Sequence, residues 1–154
     1  MRENSASLTV GRLLEVRAEA GYRTRADVDA IFDAIGRELS RLPPDAPYHV
    51  TVVDWRYCPI MSPEAADRMT IAITGANTNT LRCAALARDE SPVAVLQFVR
   101  LIREANLPDR KLFLNENVLC EWLSEVLTKA EFARLKQFLA EGKPLVGQAS
   151  STAR

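Results

Sequence analysis

The feature that most constrains the fold is an alternation of two apolar patterns along the chain. Short apolar runs predict strands, and apolar residues spaced three or four apart predict amphipathic helices. The strand patterns cover residues 8–20 (broken at Gly11), 48–54, 81–87 and 110–114, and the helical patterns cover residues 28–42, 62–75, 91–105, 115–127 and 128–139. Because parallel strands are joined through crossover helices, this order predicts an α/β fold. We expect a single domain, a mostly parallel sheet of four to five strands with right-handed crossovers, and an extra C-terminal helix.

Capping residues and prolines mark the predicted helix boundaries. Thr24 begins a capping-box pattern with the acid three residues later, and Pro43 ends the helix that follows. Ser62 and Ser91 each precede a proline, an arrangement typical of an N-cap and the first helical position. The run 48–54 is almost continuously apolar, which predicts a central strand that is covered on both faces.

The two ends of the chain lack these patterns. We therefore expect a flexible N-terminus over residues 1–7, a domain over residues 8–141 and a flexible tail over residues 142–154. The three cysteines form no C-x-x-C pair, which favours a reducing compartment. There is no signal-peptide pattern and no apolar stretch of membrane-spanning length, so the sequence predicts a cytoplasmic protein without an integral membrane segment.

Charge and motif content exclude several classes of function. Lysine plus arginine total 20, as do aspartate plus glutamate, so no basic excess favours a nucleic-acid partner. His49 is the single histidine, which removes metal sites built from two histidines and most catalysis that uses a histidine base. Phosphate-binding glycine loops, nucleophile elbows and zinc-protease motifs are absent from the sequence. These observations predict a non-enzymatic protein with no cofactor and no metal.

Several segments resemble the STAS-like (anti-sigma-factor-antagonist-like) family, especially its small stand-alone bacterial members. The resemblance covers roughly residues 8–139 and rests on local sequence as well as on the order of elements. The matching segments are Asp54-Trp55-Arg56, Arg82-Cys83-Ala84-Ala85-Leu86, Gln97-Phe98-Val99-Arg100, Lys111-Leu112-Phe113-Leu114 and Cys120-Glu121-Trp122-Leu123. The resemblance implies a STAS-like fold and a regulatory or protein-interaction module of bacterial type.

In phosphorylatable STAS proteins, a D-S-S-G turn follows the central strand, and a kinase modifies one of its serines. Ser62-Pro63-Glu64-Ala65 occupies that turn here, so Ser62 stands at the aspartate position, while Pro63 and Glu64 replace the two serines. Glu64 would supply a permanent negative charge at the same place. Ser62 is a candidate for modification, and its alternative role is to cap the helix.

The carboxyl ends of the strands are the expected place for a partner or ligand, because open α/β sheets bind there. The candidates after the central strand are Asp54, Trp55, Arg56 and Tyr57, and those after the next strand are Arg88 and Asp89. The alternative interpretation is structural: the aspartates bind loop amides, and the aromatic side chains cover the sheet edge. Ser62 and Glu64 complete this predicted surface.

The leading hypothesis is a non-enzymatic STAS-like module that binds an unidentified protein partner, or a second copy of itself as a homodimer. The alternative is a small-ligand or lipid carrier with an apolar pocket between sheet and helices, a framework similar to the CRAL-TRIO fold. Side chains that could line such a pocket, or form the core instead, are Met61, Met69, Phe98 and Trp122. A third hypothesis is thiol chemistry at Cys58, for which His49 lies at the wrong end of its strand.

Overall fold

The computed structural model describes residues 3–143, which form a five-stranded sheet with helices on both faces. The strands are β1 (Asn4–Leu8), β2 (Leu13–Ala18), β3 (His49–Asp54), β4 (Thr80–Leu86) and β5 (Arg110–Phe113). The α-helices are α1 (Arg25–Leu39), α2 (Pro63–Gly75), α3 (Pro92–Glu104), α4 (Glu116–Ser124) and α5 (Lys129–Glu141), and a short 3-10 helix spans Asn77–Asn79. The predicted alternation of strands and helices is confirmed.

The strands lie side by side in chain order, from β1 at one edge to β5 at the other. β1 and β2 form an antiparallel hairpin, whereas β2, β3, β4 and β5 pair in parallel. β3 is the central strand, as its continuous apolar pattern predicted. The expectation of a mostly parallel α/β sheet is therefore confirmed.

The N-terminal boundary differs from the prediction. Residues 4–7, which were expected to lie outside the domain, belong to β1 and pair with β2. The hairpin turns at Gly11, whose φ of 58° favours glycine. Because serine and asparagine dominate this edge strand, its apolar pattern is too weak to be detected from the sequence. Most of the expected tail, residues 144–154, lies outside the described residues; Gly142 is buried at the end of α5.

Each face of the sheet carries its own apolar core. On one face, α1, α2 and α3 pack against alternate residues of the strands; the buried members from β2, β4 and α3 include Leu14, Val16, Ala85, Phe98 and Leu101. On the other face, α4 and α5 cover the intervening residues; the buried members include Leu13, Val50, Val52, Ala84, Leu119, Leu123, Leu135 and Leu139. The period of two residues along each strand produces this division.

Most of the predicted helix caps are present. Thr24 and Asp27 form the expected capping box of α1, and the Ser62 side chain accepts a hydrogen bond from the Ala65 amide at the start of α2. Ser91 differs, because its side chain makes no capping hydrogen bond and its backbone lies at φ −121° and ψ 76° rather than in the extended region. Among residues 3–143, no helix combines the length and apolar character needed to cross a bilayer.

Candidate functional site

The predicted site residue Asp54 is buried at the carboxyl end of β3. Its carboxylate accepts hydrogen bonds from Arg17 Nη1 at 2.5 Å and from Arg56 Nε and Nη2, both at 2.9 Å. The Arg56 amide donates a further bond at 3.1 Å. Only 2% of the Asp54 side chain is exposed, against 8% for Arg56 and 14% for Arg17. We call this cluster, Arg17, Asp54 and Arg56, the arginine clamp.

The arginine clamp holds the last turn of α5. Arg17 Nη2 donates to the Phe138 carbonyl at 2.8 Å, and Arg56 Nη2 donates to the Leu139 carbonyl at 2.7 Å. These carbonyls lie in the last turn of α5, where cations are favourable. Gly142 comes directly after α5 and lies against the arginine clamp, so a Cβ atom at this position would overlap all three clamp side chains. Two of the predicted partner-binding residues, Asp54 and Arg56, are therefore enclosed by the fold.

The remaining strand-end residues are only partly accessible. Trp55 is buried with its ring centroid 4.7 Å from that of Phe98. The Arg88 guanidinium lies 4.4 Å from the Tyr57 ring centre, and its Nε donates to the Arg56 carbonyl at 2.7 Å. These side chains border a cleft of about 260 Å³, while Asp89 is exposed beside it. The sheet edge is thus covered largely by cation–π and aromatic packing, as the structural alternative proposed.

Strand order explains why the described residues form a cleft at this edge without the crevice of a topological switch point. Ligand crevices in open α/β sheets lie where the strand order reverses and neighbouring crossovers leave on opposite faces. Here the order runs from β1 to β5 without a reversal, and α1, α2 and α3 all pack on one face. The rule that open α/β sheets bind ligands at the carboxyl ends of their strands depends on such a reversal, and this sheet does not have one.

Ser62 and Glu64 connect the starts of two helices. The Ser62 hydroxyl donates to the Arg23 carbonyl at 2.6 Å while accepting from the Ala65 amide at 3.1 Å. Glu64 is exposed, and its Oε1 accepts from the Arg25 amide at 3.0 Å. The chain before α1 and the first turn of α2 are tied together by these bonds. Both bonding functions of the Ser62 hydroxyl are therefore used within the fold.

A second candidate site is a partly open cavity between the sheet and the helices. It has a volume of about 60 Å³ and separates the sheet from α1 and α2. Most of its lining is apolar; aliphatic members include Leu14, Val16, Ile31, Ile35, Met69 and Ile73. Of the four side chains considered for a pocket from the sequence, Met69 lines this cavity, whereas Met61 and Phe98 pack in the surrounding core and Trp122 lies on the opposite face.

Three of the polar residues that line the cavity have a buried nitrogen without a hydrogen-bond partner. These atoms are His49 Nδ1, Trp55 Nε1 and Arg110 Nε. The exposed fractions of the residues are 3%, 4% and 8%. Buried polar groups in native proteins are nearly always hydrogen-bonded. His49 and Trp55 lie at opposite ends of β3, and His49 is close enough to Arg110 for that charge to lower its pKa. The unpartnered atoms of His49 and Arg110 therefore indicate a site for a polar molecule at that end of the cavity.

Arg110 is the only charged residue in the cavity lining that the structure describes. Its Nη2 donates to Asn77 Oδ1 at 2.9 Å and, at 3.5 Å, to the Ile73 carbonyl. No carboxylate within residues 3–143 forms an ion pair with it. Asn77 is itself fixed, because its Nδ2 donates to the Ala105 carbonyl at 2.9 Å. The cavity therefore holds a positioned positive charge without a counterion from the described chain.

His49 lies at the start of β3 and is neutral at pH 7. Burial lowers its pKa to about 4, together with the charge of Arg110, and the nearby Pro47 carbonyl opposes this only weakly. The Thr80 hydroxyl donates to the Ala76 carbonyl at 2.7 Å and lies 3.2 Å from His49 Nε2. The tautomer of His49 determines whether Nε2 donates to this hydroxyl or accepts from it.

Sequence reasoning missed Arg110. The sequence did place Arg110 at the start of a predicted strand. Side chains alternate between the two faces of a sheet, so the register of that strand determines on which face the Arg110 side chain lies. Pairing places Arg110 opposite Cys83, which in turn lies opposite Thr51, so all three share the face covered by α1, α2 and α3. The register that brings them together depends on non-local pairing, which the pattern of a single strand does not contain.

The thiol hypothesis gains no geometric support. Cys58 is buried, and burial raises its pKa to about 12, so the thiolate is scarce at neutral pH. Cys58 follows the carboxyl end of β3, whereas His49 begins that strand. The two residues therefore lie apart, as expected from the sequence. Within the described chain, no group of three or more histidine, cysteine or carboxylate side chains could hold a metal ion.

Comparison of the chain with protein-family models, with curated proteins and with solved structures found no significant match.

Proposed function

We propose that the protein is a non-enzymatic binding domain that takes a small molecule into the cavity beneath α1 and α2. The observation that carries this proposal is Arg110, a buried arginine that lines an otherwise apolar cavity and has no carboxylate partner within residues 3–143. This is the carrier alternative of the sequence analysis, with a different set of lining residues.

The energetic argument is that burial of an unpaired charge is costly. Desolvation of one ion costs several kcal/mol even after the protein relaxes, and a hydrophobic residue of similar volume avoids that cost. Arg110 recovers part of it through Asn77 and the Ile73 carbonyl. The unpartnered His49 Nδ1 at the same end of the cavity, and Trp55 Nε1 at its other end, add further desolvation. Small-molecule sites have this composition: apolar walls with a few fixed polar groups.

A cavity-filling variant tests this proposal. Ala76→Leu adds three carbons to the cavity lining at the end of α2, and Ala66→Leu adds the same atoms on α2 outside the cavity. We expect a panel of small polar molecules to include binders of the wild-type protein and of Ala66→Leu, detected by NMR titration, and we expect Ala76→Leu to lose them. Equal binding by both variants would show that the bound molecules occupy another site.

A STAS-like regulatory or protein-interaction module of bacterial type is the second candidate function. The observation in its favour is a groove of about 560 Å³ between α2 and α3 that begins beside Pro63. Ile60 and Leu96 line it with 53% and 70% of their surfaces exposed. Exposed apolar side chains beside a groove are typical of protein contact sites. This surface adjoins Ser62 and Glu64, whereas Asp54 and Arg56 do not contribute to it.

The test of the second candidate is loss of a specific contact on substitution of the groove. Leu96→Asp should abolish self-association in light-scattering measurements, or binding of a purified partner. Val118→Asp is the matched control, because Val118 is exposed on α4, which packs on the other face. Equal effects of the two substitutions would remove the groove from consideration.

A further inference from the structure

The charge in the cavity limits the class of ligand that the site would take. Arg110 begins β5, and the row Thr51, Cys83 and Arg110 crosses three neighbouring strands on the cavity face. Cys83 lies beside the guanidinium, and its pKa is raised by burial against the opposing influence of Arg110. It therefore stays a neutral thiol and does not compensate the arginine charge.

The unpartnered atom of Arg110 is a donor with a fixed direction. Nη2 donates to Asn77, whereas Nε has no acceptor within the described residues. Its N–H bond lies in the plane of the guanidinium, which fixes its direction. An anionic oxygen in this direction would accept a charge-assisted hydrogen bond from Nε, which is about twice as strong as a neutral one. A neutral ligand would leave the charge without a counterion.

The size of the cavity limits the ligand further. A buried water needs at least about 10–15 Å³ of such space and occupies about 30 Å³ in the liquid, so about 60 Å³ corresponds to roughly two to four waters. A cavity that holds benzene has about 150 Å³. By that benchmark the enclosed space holds about two or three non-hydrogen atoms, the size of a carboxylate group, and a longer ligand needs the walls to move. Few of the donors that line the cavity lack an acceptor within the described residues, which disfavours a phosphate dianion relative to a carboxylate with a short hydrocarbon tail.

We propose that the cavity is a binding site for a short-chain carboxylate, whose carboxylate group pairs with Arg110 and whose hydrocarbon part contacts the aliphatic wall formed by α1 and α2. This inference rests on the proposed function, because it names the ligand class of the same site. The carboxylate forms one charge-assisted hydrogen bond with Nε and neutralises the buried guanidinium. Its hydrocarbon part displaces water from side chains such as Ile35 and Ile73.

The experiment is an NMR and calorimetric titration of the full chain with propionate, propionamide and inorganic phosphate at pH 7. Propionate and propionamide have the same size and differ in charge. We expect propionate to bind at least about tenfold more tightly than propionamide, since a hydrogen bond to a charged group contributes more than a neutral one. We also expect the Arg110 ¹⁵Nε–¹Hε signal to move on addition of propionate. Tighter binding of phosphate than of propionate would overturn the assignment to carboxylates.

Variants locate the interaction. Arg110→Gln should weaken propionate binding at least about tenfold, because the ionic partner is lost. Arg82→Gln is the matched control: Arg82 lies on β4 with 21% of its side chain exposed, pairs with Glu125 and contacts Trp122 on the opposite face. It should retain binding within about twofold, a change of less than 1 kcal/mol by the usual conversion. If Arg110→Gln does not fold, the Arg110 Nε signal of the wild-type protein supplies the same test.

The possible failures are separable. If propionamide binds as tightly as propionate inside the cavity, the carboxylate inference is wrong and the proposed function stands. If none of the three probes binds, and the wider panel of polar molecules also yields no binder that Ala76→Leu excludes, the proposed function is wrong as well. Binding of propionate that leaves the Arg110 Nε signal unchanged and persists in Arg110→Gln would place the ligand outside this cavity.

Discussion

Replacement of Asp54 by alanine should destabilise the fold strongly, because the substitution leaves two buried arginines without their shared counterion. Four hydrogen bonds to the carboxylate are lost, one from Arg17 and three from Arg56. Removal of one partner from a buried ion pair costs about 3–5 kcal/mol. For a chain of this size, each kcal/mol lowers the melting temperature by about 2–4 °C, so the expected loss is about 6–20 °C.

The assay is urea unfolding followed by circular dichroism at pH 7, with Asp29→Ala as the matched control. Asp29 also pairs with an arginine, Arg68, but 46% of its side chain is exposed, so its removal should cost no more than about 1 kcal/mol. A loss below about 1 kcal/mol for Asp54→Ala would refute the structural role of the arginine clamp. It would return Asp54 to the set of residues available for a partner.

Three further predictions concern other parts of the fold. Burial alone would raise the pKa of Glu131, but hydrogen bonds from the Arg12 side chain and from the amides of Arg12 and Thr128 outweigh it and lower the pKa to about 2. Because this folded-state pKa lies below the usual value of 4.5, the ionised Glu131 carboxylate stabilises the folded protein at pH values above 4.5. About 3 kcal/mol should therefore be lost as the pH falls from 5 to 2. Glu131→Gln should be less stable at pH 7 and lose less than the wild-type protein over that range; parallel stability curves would contradict this assignment. Ser62→Ala should cost about 1–2 kcal/mol in urea unfolding, because the cap and the bond to Arg23 are both lost. Ser91→Ala, which removes no capping bond, should stay within about 0.5 kcal/mol, and equal costs would refute the distinction. At pH 7.5, Cys58 should react with iodoacetamide more than about a hundredfold more slowly in the folded protein than in urea, because burial raises its pKa to about 12. Mass spectrometry of the labelled peptide measures both rates, and similar rates would contradict the burial of Cys58.

Local patterns were sufficient to predict most of the fold. Proline and capping residues are short-range signals, and Ser62-Pro63 and the Thr24–Asp27 capping box mark the helix starts where they were expected. The first strand was predicted to begin at residue 8, whereas β1 spans Asn4–Leu8, because its polar edge-strand sequence has little apolar alternation. The helix start predicted at Ser91-Pro92 is also confirmed, because α3 begins at Pro92, although the Ser91 side chain makes no capping bond.

The candidate site was less predictable, since its chemistry depends on contacts between distant residues. Asp54 follows a strand as expected, but its partner Arg17 lies 37 positions earlier, and the carbonyls that complete the arginine clamp belong to α5. Nothing local distinguishes such an enclosed aspartate from an accessible one. Arg110 illustrates the converse case, since only the pairing of β4 with β5 places its charge inside the molecule.

The division of the helices between two faces has a consequence for synthesis of the chain. A nascent chain that has reached residue 114 already contains all five strands and the three helices of the first face. The second face, with Leu13, Val50 and Val52, stays open to water until α4 and α5 leave the ribosome. The same delay leaves Arg17 and Arg56 without the carbonyls of α5. We therefore expect the unfinished chain to be a chaperone substrate, and release of the last helix to end that dependence.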